Sequence, residues 1–231
     1  MGSCAVTEVA SQADEAAAAG AETNRERVSR RQVDKFAERR AQLADAALQT
    51  LAELGYARTS LREIAQNTDF SHGVLHYYFS DKEDLITHCV RQYEAACVTR
   101  YDEIVASASS ADELKREFSA AMAQTLRTDA PMHRLWYDLR NQSLFEESFR
   151  ADVLEIDQRR EEMIWRVISR YASFAGFEVA LAPGAAYAIL DGLFQSALLH
   201  QLAGDEHAAD DLRVSVMRVL DTLEVRAEPT I

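Results

Sequence analysis

TSLREIAQNTDFSHGVLHYYFSDK, residues 59–82, decides the fold of this chain. Ser60, followed three residues later by Glu63, is a capping box and starts a helix. Leu61, Ile64 and Ala65 form its apolar stripe, leaving Arg62, Glu63 and Gln66 outward. Asn67, Thr68 and Asp69 interrupt the stripe with residues that favour turns and tolerate left-handed backbone. Ser71 is an N-cap for a second short helix. Gly73 in its first turn lets the backbone approach another surface closely, at a cost in helix propensity. Ser80 with Glu83 forms a further capping box, so a third helix follows at once. Helices this short cannot bury a core alone, and a longer neighbour must hold them. Such a pair is the usual way to push one short helix into a DNA major groove.

Both flanks supply long helices. Upstream, a helix is predicted over 33–54, with Phe36, Leu43, Ala44, Ala47, Leu48 and Leu51 on one face and Gly55 ending it. Downstream, one helix is predicted over 81–107, carrying Leu85, Ile86, Cys89, Val90, Tyr93, Ala96, Cys97, Tyr101 and Ile104. It is longer than a small DNA domain needs and is expected to run into the next domain as a mechanical link.

Residues 39–85 resemble the DNA-binding domain of the tetracycline-repressor (TetR) family. The matching pieces are Ala46, Ala47, Leu54, Gly55 and Tyr56, then Thr59, Ser60, Leu61, Glu63, Ile64 and Ala65, and then Ser71, His72, Gly73, Val74, Leu75, Tyr78, Phe79, Lys82, Glu83, Asp84 and Leu85. The resemblance implies that the helix over 71–77 enters the major groove from Ser71, with His72, Val74 and Tyr77 nearest base edges and Gly73 permitting close approach. It further implies phosphate contacts from Thr59, Tyr78 and Lys82, with His76 a fourth. Asp69 stands where the family usually has Gly in the turn, and His76 where it usually has Tyr. Asp can adopt the turn conformation.

Composition points the same way. The chain has 231 residues, enough for one or two domains with a sizeable core. Only eight Gly and three Pro occur, among abundant Ala, Leu, Glu and Arg, which favours an all-α protein. The net charge of -13 looks wrong for a DNA-binding protein, but it is unevenly placed. Residues 1–24 hold four acids and no base, residues 25–40 hold seven bases against three acids, and residues 92–231 hold 14 bases against 24 acids. The basic arm, which includes Arg30 and Arg31, is expected to follow the DNA backbone or enter the minor groove. Taken alone, the arm also reads as a solvated helix face. Cys4, Cys89 and Cys97 show no metal-ligand spacing, and the last two sit on an apolar helical face as buried thiols. No apolar run approaches the length of a membrane span, and the N-terminus lacks a basic region followed by an apolar stretch. A cytoplasmic location, no membrane partner, no metal and no cofactor are expected.

A second domain opens near residue 107. Ser110 with Glu113 caps a helix with Leu114, Phe118, Ala121 and Leu126 inside, expected to break at Pro131. Residues 132–143 concentrate large polar and aromatic side chains, among them His133 and Trp136. A long helix over 146–174 follows, and Ala182, Pro183 and Gly184 separate it from two final helices. The expected organisation is a disordered acidic tail (1–24), a helix-turn-helix domain with its basic arm (25–82), a connecting helix (83–107) and a ligand-binding and dimerisation domain (108–226).

By the TetR resemblance, that last domain binds a small effector and pairs its final two helices with those of a second subunit. Residues 134–140 with Phe149 and Arg150 are similar to the choline-responsive (BetI-type) subgroup. The candidate ligand residues are Phe118, Trp136, Tyr137, Arg140, Asn141 and Asp191. Arg140 suits a carboxylate, and the aromatic residues suit a quaternary amine or a ring. Trp136 and Tyr137 read equally as core, and Asp191 as a hydrogen-bonded structural acid. Ala185, Ala188, Gly192 and Ser196 are small residues at helical spacing that admit another helix closely, within the subunit or across a homodimer. A dimer is what lets two recognition helices meet two half-sites one DNA turn apart.

Enzyme readings are weaker. Asp69, Ser71 and His72 lie in a turn and a helix start, with no strand to build a nucleophile elbow. His72 and His76 share a helix face but lack a third ligand nearby. Phosphate loops and paired-cysteine or zinc-protease motifs do not occur. The reading that results is a dimeric repressor of a double-stranded DNA operator, released by a small-molecule effector through movement of the 81–107 helix. Its alternative is a helical scaffold or adaptor whose basic arm binds another acidic partner.

Overall fold

The computed structural model describes residues 24–223, with side chains from Arg30 onward. The acidic tail, and the side chains of Arg25 and Arg27 in the basic arm, lie outside the described residues. Nine helices and no strand occur among them: α1 (Asn24–Leu54), α2 (Leu61–Gln66), α3 (His72–Tyr78), α4 (Lys82–Cys97), α5 (Asp102–Ser107), α6 (Ala111–Gln142), α7 (Arg150–Ala175), α8 (Pro183–Leu202) and α9 (Ala208–Thr222). Among the described residues, those up to Gln42 and those from Leu43 onward form separate compact units. α1 begins earlier than its apolar periodicity predicts, and Phe36 remains 39% exposed.

The short helices form where their caps dictate. Ser60 accepts from the Glu63 amide, and Ser71 accepts from the Val74 amide. Gly55 ends α1 at φ +77°, a left-handed conformation that disfavours any side chain. The third cap is displaced by one residue from its expected place. Asp81, rather than Ser80, accepts from the Asp84 amide at 2.7 Å, while the Asp84 carboxylate accepts from the Ser80 backbone amide. A carboxylate is a good N-cap in the positive field of a helix start, and Asp81 wins over the hydroxyl next to it. Leu61 and Ile64 of α2, Leu75 of α3 and Phe79 then pack with Leu43, Ala47 and Leu51 of α1 and Leu85, Ile86 and Cys89 of α4 in one apolar core.

One expectation about helix continuity is corrected. The 81–107 segment is not one helix, because α4 stops at Cys97 and α5 starts at Asp102. Tertiary partners hold the break open. Arg166 donates to the Val98 carbonyl at 2.6 Å, Arg100 swings out to pair with Asp129 at 2.6 Å, and Tyr101 is buried edge-on against Phe118. The break expected at Pro131 falls two residues earlier, at Asp129 (φ -117°, ψ 15°), where α6 divides at a kink into two helical stretches, the second running to Gln142. The bend absorbs the clash of the proline ring with the preceding turn, and the Asp129 carboxylate receives both Arg100 and Tyr93. The helix expected from 146 begins at Arg150, and Gly176 caps its end in the left-handed region.

Within the unit that starts at Leu43, α6 grips the end of α1. Arg134 donates to the carbonyls of Ala52 and Glu53, satisfying acceptors that a helix end leaves unpaired. Asp138 accepts from the Tyr56 amide at 2.7 Å, and the Tyr56 ring packs on Phe149 at 5.5 Å. Arg91 of α4 pairs with Asp152 and Glu155 of α7. The helix-turn-helix is thereby tied to α6 and α7 as well as continuing into α4.

Candidate functional site

α3 presents two faces of different chemistry. Leu75, with Phe79 just beyond the helix, is buried in the core, while Ser71, His72, Gly73, His76 and Tyr77 are exposed. Tyr77 is 73% exposed, and the His72 and His76 rings lie edge to face at 4.4 Å. A Cβ built on Gly73 meets nothing within 4 Å, so the backbone there is open to close approach. Val74 and Tyr78 instead pack partly against the core, which turns Val74 away from the outermost line of the helix. Lys82 sits at the start of α4 with its Nζ 4.0 Å from the Tyr56 ring centroid, close to the Tyr56 carbonyl. Arg30 and Arg31 are exposed.

Thr59 departs from the phosphate contact expected of it. It is 3% exposed, and its hydroxyl donates to the Gly55 carbonyl at 2.6 Å. Burial of the first turn after α1 consumes that donor, so Thr59 shapes the turn.

A second site lies inside the helical layer of α6, α7 and α8. Its cavity, of about 40 Å³, is lined by Tyr101, His133, Tyr137, Arg160, Tyr187 and Asp191 together with Met122, Met163, Leu190 and Phe194. Of the six side chains expected to hold a ligand, only Tyr137 and Asp191 line it. The Asp191 carboxylate accepts from the Tyr137 hydroxyl at 2.8 Å and from Arg140 at 2.5 Å, and Arg140 also faces Asp157 at 3.5 Å. Arg140 is therefore committed within the protein. Phe118 is core, packed on Tyr101, and Trp136 is buried with the Arg160 guanidinium 4.5 Å above its ring. Asn141 is exposed on a wide outer groove of about 600 Å³ between α6 and α8, lined also by Arg134, Gly192, Ser196, Leu199 and Leu202.

Residues that sequence reasoning passed over carry the interior electrostatics. Arg160 and Glu94 are buried and joined by two parallel hydrogen bonds, Nε to Oε2 at 2.9 Å and Nη2 to Oε1. Burial opposes the Arg160 charge, and Glu94 more than offsets this, so the guanidinium stays protonated. Burial and the Asp191 carboxylate push the Tyr137 phenol up, so it remains a donor. Burial, then the charges of Arg160 and Arg100, hold His133 well below the usual imidazole range.

The His133 shift has a sign that can be measured. Because its folded pKa is depressed, the unfolded chain binds the extra proton once pH falls below the ordinary value of about 6.5. The His133 contribution is thus intact above that pH and is lost as pH falls through the window beneath it, by at most about 1.4 kcal/mol per pH unit. Urea unfolding of the wild type and His133→Gln should show a shallower acid limb in the variant. Identical limbs would mean that His133 is not buried neutral.

α8 is apolar around most of its circumference. Tyr187, Leu190, Phe194 and Leu198 face the core, yet Ile189, Leu199 and Leu202 are exposed beside Ala185, Ala188, Gly192 and Ser196. A Cβ on Gly192 would meet nothing within 4 Å, so this face is smooth enough for another helix.

Comparison with known proteins agrees with this geometry. Residues 43–89 match the tetR family of bacterial regulatory proteins. The HTH-type transcriptional regulator BetI of Burkholderia mallei is 34% identical over 117 residues, covering 48% of this chain and 58% of that protein. BetI of Burkholderia ambifaria is 33% identical over 110 residues, covering 46% and 55%. The chain thus spans somewhat over half the length of these curated relatives. Among solved structures, a TetR-family transcriptional regulator from Rhodococcus sp. has a TM-score of 0.65 at 18% identity, covering 82% of this chain and 100% of that one. FadR of Bacillus subtilis, solved with stearoyl-CoA, has a TM-score of 0.62 at 19% identity, covering 78% and 96%. These structures share the fold, an N-terminal helix-turn-helix followed by a helical domain. Residues 43–89 thus match the tetR family's helix-turn-helix, about half of the chain is similar in sequence to BetI regulators, and the described residues share the fold of these solved structures.

Proposed function

We propose that this protein is a dimeric transcriptional repressor that leaves a palindromic operator when a small-molecule effector binds it. The observation that carries the reading is α3, a two-turn helix pinned by Leu75 and Phe79 with its polar and aromatic face turned outward. His72 and Tyr77 read base edges, Gly73 lets the backbone close on the duplex, and Ser71, His76, Tyr78, Lys82 and the Arg30–Arg31 arm contact the phosphates. The exposed apolar face of α8, with α9 beside it, supports pairing of two copies, which the two half-sites of an operator require. The interior cavity and the ties of α6 and α7 to the helix-turn-helix support effector control. A ligand that shifts α4 or α6 changes the spacing of the two recognition helices, and ligand and DNA then oppose each other by typically about 1–3 kcal/mol.

Fluorescence anisotropy with DNA from upstream of the protein's own gene tests the reading. A discrete complex of two subunits per palindrome is expected. Lys82→Ala should weaken binding to all sequences and reduce the slope of log K against log salt by about 0.9, one phosphate contact. Binding that never exceeds the non-specific level at physiological salt, or an unchanged salt slope in Lys82→Ala, counts against it.

A further inference from the structure

The polar groups around the interior cavity are out of balance. Asp191 and Asp157 are supplied with donors by Tyr137, Arg140 and Tyr187. The donors have no such sufficiency. Arg160 uses Nε and Nη2 on Glu94, and its Nη1 bonds to no described residue. His133 lies with Nε2 3.5 Å from an Arg100 nitrogen, which can only donate. Nε2 is then the acceptor, and Nδ1 carries the proton. That Nδ1 is buried without a partner, as is the indole Nε1 of Trp136, over whose ring the Arg160 guanidinium lies. A buried donor left unmade is costly, so these two donors beside one guanidinium call for an acceptor. The rest of the wall, Met122, Met163, Ile164, Leu190 and Phe194, is apolar.

We propose, resting on the effector reading above, that the effector is a small organic carboxylate with an apolar body, and that its carboxylate competes with Glu94 for Arg160. The oxygens accept from Arg160 Nη1 and His133 Nδ1–H, and the body lies against Met122, Met163 and Phe194. A quaternary amine is disfavoured because the cationic edge of Arg160 faces the cavity. The present volume of about 40 Å³ holds little beyond the carboxylate. The unbranched methionines must therefore repack to admit the body, as their flexible side chains allow. Glu94 belongs to α4 and Arg160 to α7. Loosening this pair frees α4, whose first residue, Lys82, follows the recognition helix by four positions. The competition thus links occupancy of the cavity to the DNA-reading face.

Titration calorimetry of the full chain with acetate, butyrate, benzoate and phenylacetate, against benzamide, benzyl alcohol and benzyltrimethylammonium, tests this. Carboxylates should bind, more tightly as the apolar body grows, and the neutral and cationic probes at least tenfold more weakly. Glu94→Gln removes the competing charge and should tighten benzoate binding at least fivefold. Arg160→Lys should weaken it at least tenfold. If Glu94→Gln does not fold, His133→Phe should weaken benzoate at least fivefold and leave benzyl alcohol unchanged. The proposal is overturned if no carboxylate binds, if the ammonium probe binds best, or if the variants leave benzoate affinity unchanged. DNA binding measured on the same samples separates the readings. Carboxylates that fail to bind a protein that still holds its operator sink this proposal alone, whereas loss of all specific DNA binding removes the regulator reading beneath it.

Discussion

Arg160→Met is expected to lower folding stability by about 3–5 kcal/mol, a large part of the total for a domain of ordinary stability. The reason is the charge it leaves behind. Glu94 is 2% exposed and receives both hydrogen bonds of the pair from Arg160, so removing the guanidinium strands a carboxylate in the interior. Methionine fills most of the volume and keeps contact with Trp136, so lost packing is the smaller effect. The double variant Glu94→Leu, Arg160→Met removes both charges and should recover most of the loss. Urea unfolding at one fixed protein concentration measures both, since the proposed dimer would make stability depend on concentration. Wild-type stability in Arg160→Met would show that water reaches the pair, and a double variant no better than the single would show that packing was the larger effect.

His72→Ala combined with Tyr77→Ala is expected to reduce specific operator affinity by about 2–4 kcal/mol, on the order of a hundredfold, with little change in non-specific binding. Both side chains are exposed, Tyr77 at 73%, so their removal should leave the unfolding midpoint in place. In this reading both side chains meet base edges rather than phosphates, so the salt slope should also stay. Leu75→Ala is the contrasting control. Leu75 is fully buried, and its truncation should cost about 2–5 kcal/mol of stability. Equal losses for specific and non-specific DNA in the double variant would move base reading away from α3.

The helix-turn-helix was legible because its determinants are local. Ser60, Ser71 and Gly55 act through their own and nearby backbone, and the stripe of Leu61, Ile64 and Ala65 follows helical spacing, so no distant residue was needed to read them. Asp81 in place of Ser80 as cap is a competition between neighbours that sequence spacing leaves open. The failure has a different cause. The break at 98–101 depends on Arg166 and Asp129, both distant in sequence from it.

The interior site divides in the same way. Sequence named Tyr137 from a segment rich in large polar and aromatic side chains and Asp191 from its place in an apolar helix, but it assigned Arg140 to a ligand, whereas that guanidinium is already paired with the Asp191 carboxylate. A signal for the missed pair did exist. Glu94 falls on the stripe of Ile86, Val90 and Cys97, and Arg160 on that of Ile156 and Ile164, two opposite charges at positions that spacing marks as buried. Sequence alone determined the helical class and the caps at Ser60 and Ser71, because backbone hydrogen bonding and periodicity are short-range. Only the tertiary structure decided which charges satisfy one another and which buried donors remain unpaired, because those pairings join residues 66 positions apart, as in Glu94–Arg160, and depend on how the helices cross.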